Sequence, residues 1–196
     1  MKIYTRSGDN GETSLIYGRR VPKDALRVDT YGTLDEVNSV IGVAVALLPD
    51  EGFADLCQAC RRLQRDLFDL GRDLATPEDK RDGFYVSKED VDVLEKLIDT
   101  FDEQTPPLRQ FVLPGGAPAA AAFHQARTVA RRAERRVVEL EKSEAVQPWV
   151  RKYLNRLSDL LFVMARLTNA RTKVEEPGVD FQGEKPDPFV EDSSDV

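Results

Sequence analysis

The stretch RTVARRAERR, Arg127 to Arg136, puts five arginines and one glutamate into ten residues of an acidic chain. On a helix, Arg127, Arg131 and Glu134 stand at i, i+4 and i+7 and project along nearly one line, with Arg135 beside them. Arg132 and Arg136 are turned about 100° further round. Guanidinium forks bind phosphate oxygens bidentately, and a neighbouring carboxylate can fix an arginine or help hold a metal-bound phosphate. The competing reading is a solvated helix face with surface ion pairs. Against it stand the small-residue seam that tucks this helix into its neighbours and the lack of acids at i±4 for most of the arginines.

A second place with chemical potential is TRSGDNGETSL near the start. Gly8 and Gly11 let backbone approach a ligand or turn through positive φ. Thr5, Ser7, Thr13 and Ser14 supply hydroxyls, while Arg6 and Lys23 supply cations. That inventory fits a polyphosphate. It is not the G-x-x-x-x-G-K-[ST] loop, because no lysine follows Gly11, and a glycine-bearing turn with solvated polar residues accounts for it equally well.

Other candidates are ambiguous on residue type alone. Asn155, one position off an apolar helical stripe, either reads a purine or ribose or bonds a neighbouring helix. Phe111 lies between a Pro-Pro break and a Gly-Gly turn, where it is either core or pocket lining. Asp35 and Glu36 are read as opening a helix, where acids favour the dipole. Cys57 and Cys60 form a C-x-x-C, but both fall on the apolar face Phe53, Leu56, Cys57, Cys60, Leu63, Leu67, Leu70, and His124 is the only histidine available to complete a metal site. Buried, inert thiols are the expectation, and no metal ligands are assigned.

The elements that must position these residues are helices. Thr33 with Glu36 reads as a capping box ahead of Leu34, Val37, Ile41, Ala44 and Leu48, so the first helix is expected from about Thr33 to Leu48, before Pro49. A second is predicted over about Glu51 to Leu74, ended by Thr76-Pro77. Ser87 with Asp90 caps a third, closed by Pro106-Pro107. The fourth carries Phe123, Ala126, Ala130, Ala133, Val137 and Leu140 in steps of three and four, the seam of a bundle. The fifth runs from about Val150 to Val174. The first 32 residues read as an ordered loop with a short strand at its edge. The fold class is all-α, a five-helix bundle.

Composition narrows the partners. The 196 residues suffice for one core, and no linker divides them. The net charge of −7 resides in Glu175 to Val196, leaving the body neutral. A local arginine cluster in a neutral body suits a discrete anion better than nucleic acid. Apolar runs are too short for a membrane span and the start has no apolar signal core, so a soluble cytoplasmic protein is expected.

Taken together, YTRSGDNGETSL, GRRVPKD, YGTLDEVNSVIG, FVLPGG, HQARTVARRAERRVVEL and YLNRLSDLLFVMAR resemble the PduO-type ATP:cob(I)alamin adenosyltransferases, in that family's order and across nearly all of residues 2–170. The resemblance implies a homotrimer that transfers the 5′-deoxyadenosyl group of ATP to the cobalt of cob(I)alamin and releases triphosphate, with Mg2+ bound. It carries a nucleotide site onto Thr5, Arg6, Ser7, Gly8, Thr13, Ser14, Lys23, Arg131, Arg132, Glu134, Arg135 and Asn155. It makes Asp35 and Arg127 a salt-bridged pair between subunits beside the corrinoid, and Phe111 the aromatic ring beneath cobalt. Arg131 and Lys23 would stabilise the departing triphosphate. A flavoprotein reductase and an adenosylcobalamin-dependent acceptor enzyme are the implied protein partners.

Residues 1–174 are then the transferase domain, with a phosphate-binding loop over 1–32 and the bundle over 33–174. Residues 175–196 form an acidic tail outside the resemblance, expected to be flexible, or alternatively to order over the corrinoid through Phe189. Ser7 departs from a common Thr but keeps the hydroxyl. Glu12 adds an acid to the phosphate loop with no role other than facing solvent. The non-catalytic alternative is a nucleotide- or corrinoid-binding sensor bundle, which turnover would distinguish.

Overall fold

A computed structural model describes residues 2–189. The chain opens with an antiparallel hairpin, β1 (Glu12–Ser14) against β2 (Arg20–Pro22), with Thr13 opposite Val21. Five helices follow: α1 (Leu26–Leu47), α2 (Ala54–Ala75), α3 (Lys88–Asp102), α4 (Pro118–Leu140) and α5 (Pro148–Thr172). α4 lies between α1 and α5, α2 packs on α1, and α3 packs on α5.

The arrangement follows from the apolar stripes. Leu34, Val37, Ile41 and Ala44 of α1 are buried against the α4 seam, where Ala126, Ala130 and Ala133 are fully enclosed. Alanines there let the backbones approach closely, and Phe123, Leu140, Leu157 and Leu160 fill the space on either side. Tyr153 is wholly buried and donates its hydroxyl to Asp66 at 2.9 Å, joining α5 to α2. Cys60 sits in the same core, and burial, helped by the neighbouring Cys57, pushes its thiol up to about 12. At neutral pH this sulfur is an uncharged packing atom.

The start of α1 corrects the sequence reading. Thr33 does not cap: the helix begins at Leu26, and the Thr33 hydroxyl donates to the Asp29 carbonyl at 2.8 Å, one turn back. A Thr-x-x-Glu pattern is equally compatible with a helix interior when the hydroxyl bonds an i−4 carbonyl. Asp35 and Glu36 are therefore in mid-helix, and Asp29 is the acid of the first turn. The Ser87 and Asp90 box at the head of α3 forms as expected, with Ser87 N–H donating to Asp90 at 2.9 Å.

The chain after α5 also differs from expectation. Residues 176–179, assigned to a flexible tail, return to the loop before α4 and pair with it: Leu113 N–H donates to the Pro177 carbonyl at 2.9 Å and Val179 N–H to the Phe111 carbonyl at 2.8 Å. That loop has unpaired backbone groups, and the returning segment satisfies them. Phe189 is exposed, and residues 190–196 of the tail lie outside the described residues. No described helix is long and apolar enough to cross a membrane.

Candidate active site

The hairpin gathers most of the N-terminal candidates. The Thr5 and Ser7 hydroxyls lie 2.7 Å apart, Gly11 turns at φ +80°, and the Lys23 N–H donates to the Gly11 carbonyl at 2.9 Å. A β-carbon built at Gly8 would lie 3.1 Å from Lys23 Nζ, so the ammonium rests over bare glycine backbone. Arg6 also adopts positive φ, at +61°, and its guanidinium lies 5.6 Å from the Tyr4 ring centre. Ser14 faces out with Glu12, while Thr13 faces the opposite side of the hairpin and is half-buried.

The organiser of this loop is Arg20, which residue types did not single out. It donates to the Ser7 carbonyl at 2.8 Å and the Ser14 hydroxyl at 3.1 Å, and it pairs with Glu12 at 3.5 Å. Glu12 thus has an internal partner in the loop, which its sequence context gave no means of seeing.

On α4 the arginines divide by face. Arg132 is paired with Glu36, and Arg136 reaches Asp29 at 2.8 Å and Glu139 at 2.9 Å, so both are turned toward α1 and neutralised. Arg127, Arg131 and Arg135 make no ion pair among the described residues. Arg131 and Arg135 are exposed. Arg127 is half-buried, its Nε has no hydrogen-bond partner, and burial together with the Arg131 charge lowers its pKa. Arg132 does not join the Arg131 cluster.

Glu134 and Asn155 are brought together: Asn155 Nδ2 donates to Glu134 at 3.1 Å, and Arg156 donates to Asn155 Oδ1 at 2.7 Å. They line a polar cleft of about 530 Å3 with Trp149, Lys152 and residues of α3. A second cleft, of about 640 Å3, is lined by Phe111, His124, Arg127 and Phe162. Phe111 is 73% exposed at its mouth, so it is pocket lining and not core. His124 is buried without a partner for either ring nitrogen. Burial first, and Arg127 second, lower its pKa against the opposing influence of Glu176. His124 and Phe162 were not picked out as site residues, because a buried histidine and a helical phenylalanine ordinarily belong to a core.

Two sets of residues remain apart within one chain. No hydrogen bond or ion pair among the described residues joins the hairpin hydroxyls to Arg131, Glu134 or Asn155; Lys23 lies instead beside Asp29, Glu36 and Arg136. Asp35 and Arg127 are likewise not in contact. Asp35 opens onto a different groove, of about 360 Å3, lined by Ile16, Tyr31, Leu67 and Phe68. The α4–α5 face can hold a phosphate chain, and the Phe111 cleft, with Arg127 in its wall, can hold a broad apolar ring system.

A five-helix bundle headed by such a hairpin has known counterparts. Residues 3–168 match a family described as cobalamin adenosyltransferase, and the chain belongs to that family. The chain is 49% identical over 175 residues to the corrinoid adenosyltransferase of Bacillus subtilis (strain 168), covering 89% of this chain and 90% of that protein. It is 46% identical over 182 residues to the corrinoid adenosyltransferase of Mycobacterium leprae (strain TN), covering 88% and 94%. Among solved structures, a variant PduO-type ATP:corrinoid adenosyltransferase from Lactobacillus reuteri, complexed with cobalamin and ATP, superposes with a TM-score of 0.86 at 38% identity, covering 91% of this chain and 96% of that one.

Proposed function

We propose that the chain is an ATP:corrinoid adenosyltransferase, moving the 5′-deoxyadenosyl group of ATP onto the cobalt of cob(I)alamin with triphosphate as leaving group. The observation that carries this is a single helix, α4, that serves both clefts: Arg127, without an ion pair among the described residues, lines the cleft mouthed by Phe111, Glu134 lines the cleft it shares with Asn155, and the equally unpaired Arg131 stands on the helix between them. One helix thereby offers cations for the triphosphate beside an apolar floor for the corrin.

Cob(I)alamin is itself a very strong nucleophile, so the protein need supply no base and no nucleophilic side chain. The cobalt electron pair becomes the new cobalt–carbon bond to the ribose C5′, the C5′–O bond breaks, and the bonding pair of that C–O bond leaves with the triphosphate. Arg131, Lys23 and the hairpin N–H groups stabilise the growing charge. Thr5, Arg6, Ser7, Gly8, Thr13 and Ser14 seat the phosphates with Arg135 flanking, Arg132 being held away by Glu36, and Asn155 orients the ribose or purine so that C5′ stands in line with cobalt. Phe111 occupies the lower axial face. It excludes a fifth ligand and so eases the preceding one-electron reduction of cob(II) to cob(I).

Glu134 is the carboxylate this face offers to a phosphate-bound Mg2+, an ion that takes most of its ligands from phosphate and water and supplies charge neutralisation on the triphosphate when bound. The lack of any cluster of three acidic, histidine or cysteine ligands among the described residues fits such a phosphate-held ion better than a caged one.

Homotrimer formation belongs to the same reading. The separation of the hairpin from Arg131 and Asn155 supports a nucleotide site completed by a neighbouring subunit, and Phe68, 64% exposed beside Asp35, is apolar surface that assembly would cover. Asp35 would then meet Arg127 of the next subunit. A flavoprotein reductase upstream and an adenosylcobalamin-dependent enzyme downstream complete a cytoplasmic route.

The test is anaerobic mixing of the protein with chemically reduced cob(I)alamin and Mg-ATP, following adenosylcobalamin by absorbance and triphosphate by its release. Both products at multiple turnover are expected. Binding of either substrate without turnover would replace the transferase with a sensor.

A further inference from the structure

Phe111 has little packing to hold it. At 73% exposure it gains its position from its own backbone and from the edge of Phe181, whose ring centre is 5.9 Å away at 83°. The loop between α3 and α4 has no regular structure of its own except its pairing with residues 177–179. What fixes the loop must therefore be sought in the contacts at its two ends and at that pairing.

Both ends are tied to the last turns of α5. Arg166 donates to the Pro106 carbonyl at 2.7 Å. Asn169 donates to the Gly115 carbonyl at 3.1 Å and accepts from the Ala117 N–H at 2.9 Å; Gly116, at φ +96°, has no room for a β-carbon against that amide. The same two side chains hold Glu176: Arg166 Nε at 3.1 Å and Asn169 Nδ2 at 3.3 Å. Arg166 is 6% exposed, so its charge needs an acid, and Glu176 is its ion-pair partner. Immediately after Glu176, Pro177 accepts from Leu113 and Val179 donates to the carbonyl of Phe111 itself.

We propose that Glu176 is a positioning residue for the reduction step: clasped by Arg166 and Asn169, it seats residues 177–179, whose hydrogen bonds fix Phe111 under the corrin. This rests on the role given to Phe111 above. The carboxylate of Glu176 is taken up by Arg166 and Asn169. It acts by anchoring the segment that bonds the loop on both sides of Val112, so its loss leaves a buried guanidinium unpaired and frees the Phe111 backbone.

The experiment supplies the full chain with ATP and cob(II)alamin anaerobically and reads the four-coordinate cobalt(II) fraction by electron paramagnetic resonance. Turnover is measured in parallel from cob(II)alamin plus a one-electron reductant and from prereduced cob(I)alamin. Glu176→Ala is expected to lower the four-coordinate fraction and the cob(II)-fed rate by about five-fold or more, with the cob(I)-fed rate and the Kd for ATP within about two-fold of wild type. Val179→Pro removes one N–H donor without touching the buried charge and should show the same split, so it carries the test if Glu176→Ala fails to fold. Wild-type four-coordinate signal in the folded variants, or equal losses from both feeds, overturns the proposal. Phe111→Ala is the control: if it shows no split, the reading of Phe111 fails instead.

Discussion

Arg131 and Arg132 are adjacent in sequence and opposite in circumstance. Arg132 spends its charge on Glu36, whereas Arg131 forms no ion pair among the described residues. Arg131→Ala should therefore leave the fold intact and lower kcat by about 100-fold or more through loss of transition-state charge stabilisation, with Arg131→Lys recovering part of it; steady-state rates and a thermal melt check both halves. His124 is the second test at this scale. Burial and Arg127 hold its pKa below the ordinary value of 6.5, so the unfolded chain binds its proton more readily than the folded chain. Its contribution to stability is complete above about pH 6.5 and lost as pH falls through the folded value. Acidification from about pH 7.5 to about pH 5.5 should lower the denaturant midpoint more in wild type than in His124→Phe, and parallel slopes would refute the assignment.

At the scale of elements, α4 is the helix on which both packing and function converge. Its alanines Ala126, Ala130 and Ala133 are fully buried in the seam with its neighbours, and its Arg127, Arg131 and Arg135 form the face proposed to bind the triphosphate. Ala130→Leu adds volume where none is free and should cost about 1–3 kcal/mol, read as a shift of the urea midpoint. Ser87→Ala removes a formed cap on α3 and should cost about 1 kcal/mol at unchanged activity. The helices were legible because apolar periodicity survives without knowledge of partners. The start of α1 was not, since Thr33 and Glu36 satisfy a capping pattern and an interior pattern alike. Only the Asp29 carbonyl beneath Thr33 and Arg132 opposite Glu36 decide between them.

Over the whole molecule, the separation of Asp35 from Arg127 and of the hairpin from Asn155 makes assembly testable through activity. If the proposed interface forms, Asp35→Arg and Arg127→Asp each lower turnover by about ten-fold or more, because like charges then face one another between subunits. Co-expression of the two variant chains should restore rate in mixed assemblies that juxtapose the reversed charges. Sedimentation velocity on the same samples reports whether trimers form. Rescue without a change in assembly state, or trimers without rescue, would separate the pair's catalytic and structural roles.

Residue order alone determined the five amphipathic helices, the line of Arg127, Arg131 and Glu134 at i, i+4 and i+7, and the glycine-bearing N-terminal loop, because each rests on local spacing that backbone geometry converts directly into a face or a turn. Tertiary packing decided which arginines stay unpaired, that Arg20 organises the hairpin, and that Glu176 belongs to the structured protein although composition marks it as tail. Those outcomes depend on partners far along the chain, such as Glu36 for Arg132 and Arg166 for Glu176, and a charge's environment exists only once such partners have been brought within a few ångströms.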